Sequence, residues 1–439
     1  MPSAKPIQCR AGCAQTVITP PVGVSLAGYF HDRVAKSVRD DLYAKAMVIE
    51  HDGRRIVLVS CDLISIDERT TERARELVNA DLGIPSQHVM VCATHTHTGP
   101  ELRDNSVVKP PVEWRDELPA HIARTVRSAV DKMTPVTLRA GTADAEGYSF
   151  NRLFRLKDGS EVFGVGGRKD QVIAPAGPID PQVQTLSLVD AKDRLVGLVV
   201  NFALHVDVIG GGKANFISAD WPGEMARAVA GAHGSEVVTL LLQGTCGDIN
   251  HVPHDPTNLP RGGPGRAIMI GRGLAGVAMH AAERAEPMTA LSLDGRIDVL
   301  SIPYYTRDEA LHAELDALRA KSKRSPFEQY VLERGESWPH DGKNADVPVQ
   351  VFRIGDVGLV ALPAEIFVRI GLDIKHWSPA PSTFVVELAN ARASTYVPTT
   401  DQAERGAYGA KPILSRWLCA DAGRRMADAG ITMLHQMWG

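Results

Sequence analysis

The segment RRIVLVSCDLISIDERTTERARELVNADLGIPSQHVMVCATHTHTGP, residues 54–100, decides the fold class. It opens on an apolar, β-branched run, RRIVLVSCDL (54–63). DERTTERARELVNADLG (67–83) then shows helical spacing, an acidic start and a glycine stop. A second apolar run, HVMVCATH (88–95), ends in a Gly-Pro breaker at 99–100. Strand, helix and strand in this order predict a parallel pair joined by a right-handed crossover. Functional groups of such units collect just past the carboxyl ends of the strands. Asp62, His95 and His97 stand there.

Outward from this unit the pattern predicts a helix over 112–132, strands near 136–143, 183–190 and 195–204, and a helix from about 220 to 232. A buried strand at 237–244 and a helix over 266–285 follow. Further strands are expected at 290–303, 349–355, 358–362 and 383–388, with a last helix at about 413–435. No helix separates the neighbours in 290–303 and 349–362, so part of the sheet is expected to be antiparallel. Residues 305–345 read as a charged helical excursion, a surface insertion. The sequence shows no internal repeat, low-complexity tract or linker. The expectation is an α/β protein with a mixed β-sheet core flanked by helices, one large catalytic domain over 1–439.

Net charge is −4 and the pI about 6.4, which argues against a nucleic-acid binder or a polybasic membrane surface. Cys9, Cys13, Cys61, Cys92, Cys246 and Cys419 contain no CxxC pair, which argues against a zinc ribbon or a disulfide framework. No apolar window approaches the roughly 18 residues of a membrane span. The first residues lack the apolar stretch of a secretory signal, so the expected location is cytoplasmic.

Five polar constellations stand where apolar runs stop. His95 and His97, at i and i+2 of a strand, would share one face and could converge on a metal ion, or could be hydrogen-bonded histidines capping a sheet edge. His205 ends NFALH (201–205), with Asp207 two residues on, and a lone histidine there is commonly structural. Glu365 follows a strand and a proline in LPAEIF (362–367), where the helix dipole alone would favour a carboxylate. LLLQGTCGDINH (240–251) runs into glycines that permit close backbone approach to a ligand, or simply make a tight turn. The polar loop 390–410 carries Tyr396 and Tyr408. Two histidines, one acid and an open position form a common hydrolytic zinc set.

These residues carry a resemblance. THTHTGP (94–100), NRLFR (151–155), NFALH, ISADWPGE (217–224), GDIN (247–250), LPAEIF and YVPTT…AYGA (396–410) occur in the order of the neutral, non-lysosomal ceramidase family, and the chain resembles that family's catalytic domain from about residue 9 onward. The resemblance implies one zinc ion held by His95, His205, Glu365 and Tyr396. It places His97, Arg152 and Tyr408 beside the metal as catalytic residues, and it implies hydrolysis of an N-acyl amide by a zinc-activated water. Asp248 and Asn250 match the segment that reads the substrate's head. Asn250 stands where the family carries serine, and His251 where a proline is expected. Arg168, in a glycine-rich loop, is a further candidate anchor or a solvated surface charge.

The family usually adds an immunoglobulin-like domain after the catalytic one, and this chain is expected to lack it. The implied substrate is a lipid amide. The alternative is a small polar cytosolic amide, lactam, lactone or ester on the same scaffold, and a metal-dependent binding protein is the non-enzyme reading.

Overall fold

A computed structural model describes residues 7–29, 31–103, 109–254 and 258–439. Its main strands are β1 (Gln8–Val17), β2 (Tyr43–His51), β3 (Arg54–Cys61), β4 (Val89–Ala93), β5 (Thr134–Asp144), β6 (Gln182–Val189), β7 (Leu195–Phe202) and β8 (Val238–Gln243). These eight form one sheet in the order β8-β7-β6-β5-β1-β2-β3-β4. A second sheet runs β9 (Leu293–Pro303), β10 (Asn344–Ile354), β11 (Val357–Ala361) and β12 (Ser382–Val386). The main helices are α1 (Glu68–Leu82), α2 (Val112–Asp131), α3 (Asp220–His233), α4 (Pro264–Arg284), α5 (Glu309–Ala320), α6 (Pro326–Glu336), α7 (Val368–Trp377) and α8 (Ala422–Trp438).

One supersecondary pattern recurs three times. In each unit two antiparallel pairings are followed by a helix crossover to a parallel strand and then a closing helix. Unit one is β1-β2-β3-α1-β4-α2, with β3 parallel to β4. Unit two is β5-β6-β7-α3-β8-α4, with β7 parallel to β8. Unit three is β9-β10-β11-α7-β12-α8, with β11 parallel to β12. The first two units join edge to edge through antiparallel β1 and β5. No repeat was visible in the sequence, because what recurs is hydrogen-bonding order and not residue identity. β1 and β2 escaped sequence reading as well. β1 is rich in small and polar residues, and at Gly12 a Cβ would meet the Ala129 carbonyl oxygen of α2 at 2.2 Å. Small residues there let the helix lie directly on the strand.

Burial follows the units. Inner faces of all three share a core that includes Met47, Leu58, Leu240, Phe352, Leu359 and Phe384. Each unit then buries its helices on its outer face, around Leu118 and Ile122 in the first, Trp221 and Leu274 in the second, and Ile374 and Leu434 in the third. The large sheet curls enough for Ser60 Oγ on β3 to donate to the Leu241 carbonyl on β8 at 2.6 Å. The expected mixed sheet flanked by helices is therefore present, and so is the parallel pair of residues 54–100.

Two expectations need correction. The last helix begins at Ala422, not near 413. Ile413 takes a left-handed φ of 64°, and the Arg416 guanidinium donates to the Ala410 and Leu418 carbonyls, tying this stretch into a turn. The excursion at 305–345 is a helical hairpin of α5 and α6 with its own small core of Leu311, Leu315, Val331 and Trp338, packed on Ile413. It is not confined to the outer surface, because α6 reaches the main cavity.

Candidate metal centre

The chain ends of the parallel crossovers converge at one place. His95 lies two residues beyond β4, His205 three beyond β7, and Glu365 four beyond β11. Each unit thus contributes one side chain. Glu365–Ile366 pairs in parallel with Tyr396–Val397, which brings Tyr396 alongside.

The histidine pair is not displayed by strand pleating. β4 ends at Ala93, and His95 has a φ of 75°, so the i, i+2 alternation does not operate. A pinned turn sets the rings instead. His95 N donates to the Leu63 carbonyl at 2.8 Å and His97 N to the Val206 carbonyl at 3.1 Å. The hydroxyls of Thr96 and Thr98 both donate to the Ser218 carbonyl, at 2.7 and 2.8 Å. A left-handed, β-branch-free residue held this way costs backbone energy and is typical of functional sites.

His95 Nε2 is the hub. It lies 3.1 Å from His205 Nε2, 3.3 Å from His97 Nε2 and 3.3 Å from Glu365 Oε2. The three imidazole nitrogens lie within 4.8 Å of one another, and all three residues are buried. His95 Nδ1 is 2.7 Å from the Ile64 carbonyl, and His205 Nδ1 is 3.4 Å from the Cys246 carbonyl. In the neutral rings, donation to these oxygens leaves a lone pair on each Nε2, and two such lone pairs repel unless a proton or a metal cation lies between them. Glu365 Oε2 is buried with no hydrogen-bond partner. Tetrahedral donors around a zinc-sized ion stand about 3.3 Å apart. The residues present fit a divalent metal.

Charge points the same way. Burial, with His95 beside it, pushes His97 well below the usual imidazole range. Burial, Arg152 and His95 do the same to His205. Burial opposes ionisation of Glu365, yet His95, Arg392 and Arg152 hold it at about 2. Neutral imidazoles and an ionised carboxylate are the ligand states a cation needs. Burial and Glu365 push the Tyr396 phenol up, and Arg152 Nη2 donates to its hydroxyl at 3.2 Å. Burial disfavours the Arg152 charge, but Tyr396, Tyr408 and Glu365 hold it above its ordinary value.

His97 differs from the other two histidines. Its Nδ1 is buried without a partner, with the Asp207 carboxylate at 3.9 Å. Tyr29 donates to that carboxylate at 2.5 Å and lies edge-on to the His97 ring, while Arg33 Nη2 donates to the His97 carbonyl. Tyr29 and Arg33 carry no sequence signal, since both sit in an irregular loop.

A cavity of about 1060 Å³ opens onto the cluster. His95, His97, Glu365, Tyr396 and Tyr408 line it, together with α6 residues. Asp248, Asn250 and Arg168 are not among its lining residues. Asp248 is buried and accepts from Asn151 Nδ2 and Val368 N, both at 2.8 Å. Asn250 Oδ1 accepts from Val252 N, and Arg168 is exposed on a turn. Arg152 packs within 5.4 Å of the Phe163 and Tyr408 rings and donates to the Gly247 carbonyl.

Residues 10–249 match the family description "Neutral/alkaline non-lysosomal ceramidase, N-terminal". The chain belongs to the neutral/alkaline non-lysosomal ceramidase family. A neutral ceramidase of Pseudomonas aeruginosa is 24% identical over 472 aligned positions, covering 90% of this chain and 67% of that protein. The crystal structure of the Pseudomonas aeruginosa neutral ceramidase superposes with a TM-score of 0.76 at 22% identity, over 98% of this chain and 74% of the other. A ceramidase complexed with C2 superposes at 0.77 with 21% identity, over 98% and 75%. The fold is the ceramidase fold, and the expectation drawn from THTHTGP, NFALH and LPAEIF is borne out at the level of the family.

Proposed function

We propose that the chain is a metal-dependent amidohydrolase of the ceramidase type, with zinc as the metal and a lipid N-acyl amide as substrate. The observation that carries this reading is the convergence of His95, His205 and Glu365, one from each unit, with two Nε2 lone pairs and an unpartnered carboxylate oxygen facing one point.

His95, His205 and Glu365 would hold the ion, with Tyr396 beside them as the fourth donor. Ligating histidines donate their other ring N–H to a carbonyl or carboxylate, as His95 and His205 do. His97 has no such partner, which suits it to proton transfer. A divalent ion there supplies Lewis acidity and lowers the pKa of water toward about 7. His97 Nε2 takes a proton from the attacking water and returns it to the leaving nitrogen. The carbonyl carbon gains a C–O bond, the C–N bond breaks, and a fatty acid and an amine leave. Tyr408 donates a hydrogen bond to the carbonyl oxygen as it gains charge. Arg152 keeps Tyr396 oriented through its hydroxyl.

Elemental analysis and ceramide turnover test the assignment. His95→Ala and His205→Ala are expected to lose bound zinc and activity together. His97→Ala is expected to keep the metal while turnover falls about 10²–10⁴-fold. A purified protein, never exposed to chelator, that carries no stoichiometric metal would overturn the reading.

A further inference from the structure

Past the histidines the same cavity reaches a second cluster, lined by Arg103, Arg392 and Trp417. The two guanidinium carbons lie 5.9 and 6.0 Å from the Trp417 ring centre. Among the described residues Glu101 is the carboxylate paired with these two cations. It accepts from Arg103 Nη2 at 2.9 Å, while Arg392 Nη1 stays 3.9 Å away. The hydrogen bonds of Arg392 go to hydroxyls, Ser65 Oγ at 3.2 Å and Thr395 Oγ1 at 3.3 Å. Arg392 Nε and Trp417 Nε1 are buried and have no acceptor. Burial, with Arg103 close by, brings Arg392 down to about 10, against the opposing pull of Glu101 and Glu365. Glu333 and Glu336 of α6 also line the cavity, but Gln329 donates to the first and Arg319 to the second.

Two guanidinium charges share the single Glu101 carboxylate, which leaves one positive charge and the Arg392 Nε and Trp417 Nε1 donors for a further anionic oxygen group. We propose that Arg392, Arg103 and Trp417 form a subsite for the acidic group of the substrate, a carboxylate, sulfonate or phosphate. Its position limits where that acid sits. Ser65 follows Ile64, whose carbonyl faces His95 Nδ1, and Thr395 precedes Tyr396 and accepts from Glu365 N at 2.9 Å. Arg392 therefore stands one residue outward from the metal's supports on two sides. The acid lies a few bonds from the scissile amide and not at the far end of a long chain. The inference rests on the amidohydrolase reading and narrows it to acidic N-acyl amides.

The test uses the metal-loaded full chain and one acyl group throughout. N-lauroyl-glycine, N-lauroyl-taurine and N-lauroyl-phosphoethanolamine are compared with neutral N-lauroyl-ethanolamine and with the ceramide N-lauroyl-sphingosine. The acidic amides are expected to exceed the neutral one in kcat/KM by about tenfold or more. Their order identifies the acid. Arg392→Gln and the milder Arg103→Gln are expected to bring the acidic-to-neutral ratio toward one, chiefly through KM. Wild-type enzyme that cleaves ceramide with no preference for acids overturns the subsite and leaves the amidohydrolase reading standing. A wild-type preference retained in both variants overturns the assignment to these residues. Failure to cleave any amide, ceramide included, overturns both.

Discussion

At the scale of single residues, the site depends on atoms that are missing as much as on those present. Gly28 has a φ of 97°, and a Cβ there would stand 2.3 Å from His97 Nδ1. Gly28→Ala is expected to push the imidazole off its position and lower kcat about 100-fold with metal content retained, checked by turnover beside elemental analysis. Glu101 makes a second residue-level case. Burial disfavours its charge, but Arg103 and Arg392 hold its pKa below the ordinary 4.5. Its charge therefore contributes stability that is fully present above about pH 5 and is lost as pH falls through the folded value. Glu101→Gln is expected to be about 1.5–3 kcal/mol less stable at pH 7 and to approach wild type under acid, read from denaturant midpoints across pH. His95, His205 and Glu365 were legible in the sequence because each stands just past an apolar run. Tyr29, Arg103, Arg392 and Trp417 were not, since their placement comes from loops whose path no periodicity records.

At the scale of elements, the crossover of residues 54–100 was read almost to the residue, because its punctuation is chemical. The Asp67 side chain accepts from Thr70 N, and Gly83 closes α1 at a φ of 65°. Asp67→Ala removes that cap and is expected to cost about 1 kcal/mol, measured as a shifted urea midpoint at unchanged slope. The third unit was harder to read. The stretch from 413 looked helical by composition, yet the Arg416 guanidinium caps carbonyls that would otherwise enter a helix. Leu414, Ser415 and Trp417 line the cavity as a result. The 305–345 excursion was recognised as helical, but nothing in its charge pattern told that α6 turns a face to the reaction chamber. The His95 turn taught the same lesson, since convergence of the two rings came from backbone pinning and not from strand alternation.

At the scale of the whole molecule, burial governs the thiols. It pushes Cys13 and Cys92 up to about 12 and Cys9 and Cys419 to about 11, while Cys61 and Cys246 lie well above the ordinary thiol value. Thiolate is the reactive form. The native protein at pH 8 is expected to resist a thiol reagent, with half-buried Cys419 reacting first, and all six cysteines to react once denatured. The threefold recurrence of one strand-and-helix order has another outcome. The donors that face the common point are encoded in three successive thirds of the polypeptide. A nascent chain released after α4 already owns both imidazole-bearing turns yet has no carboxylate to pair with them. On the proposed ligand set, a chain cut short before Glu365 keeps its histidines without the carboxylate, and it is expected to retain a divalent ion more weakly than the whole chain in equilibrium dialysis.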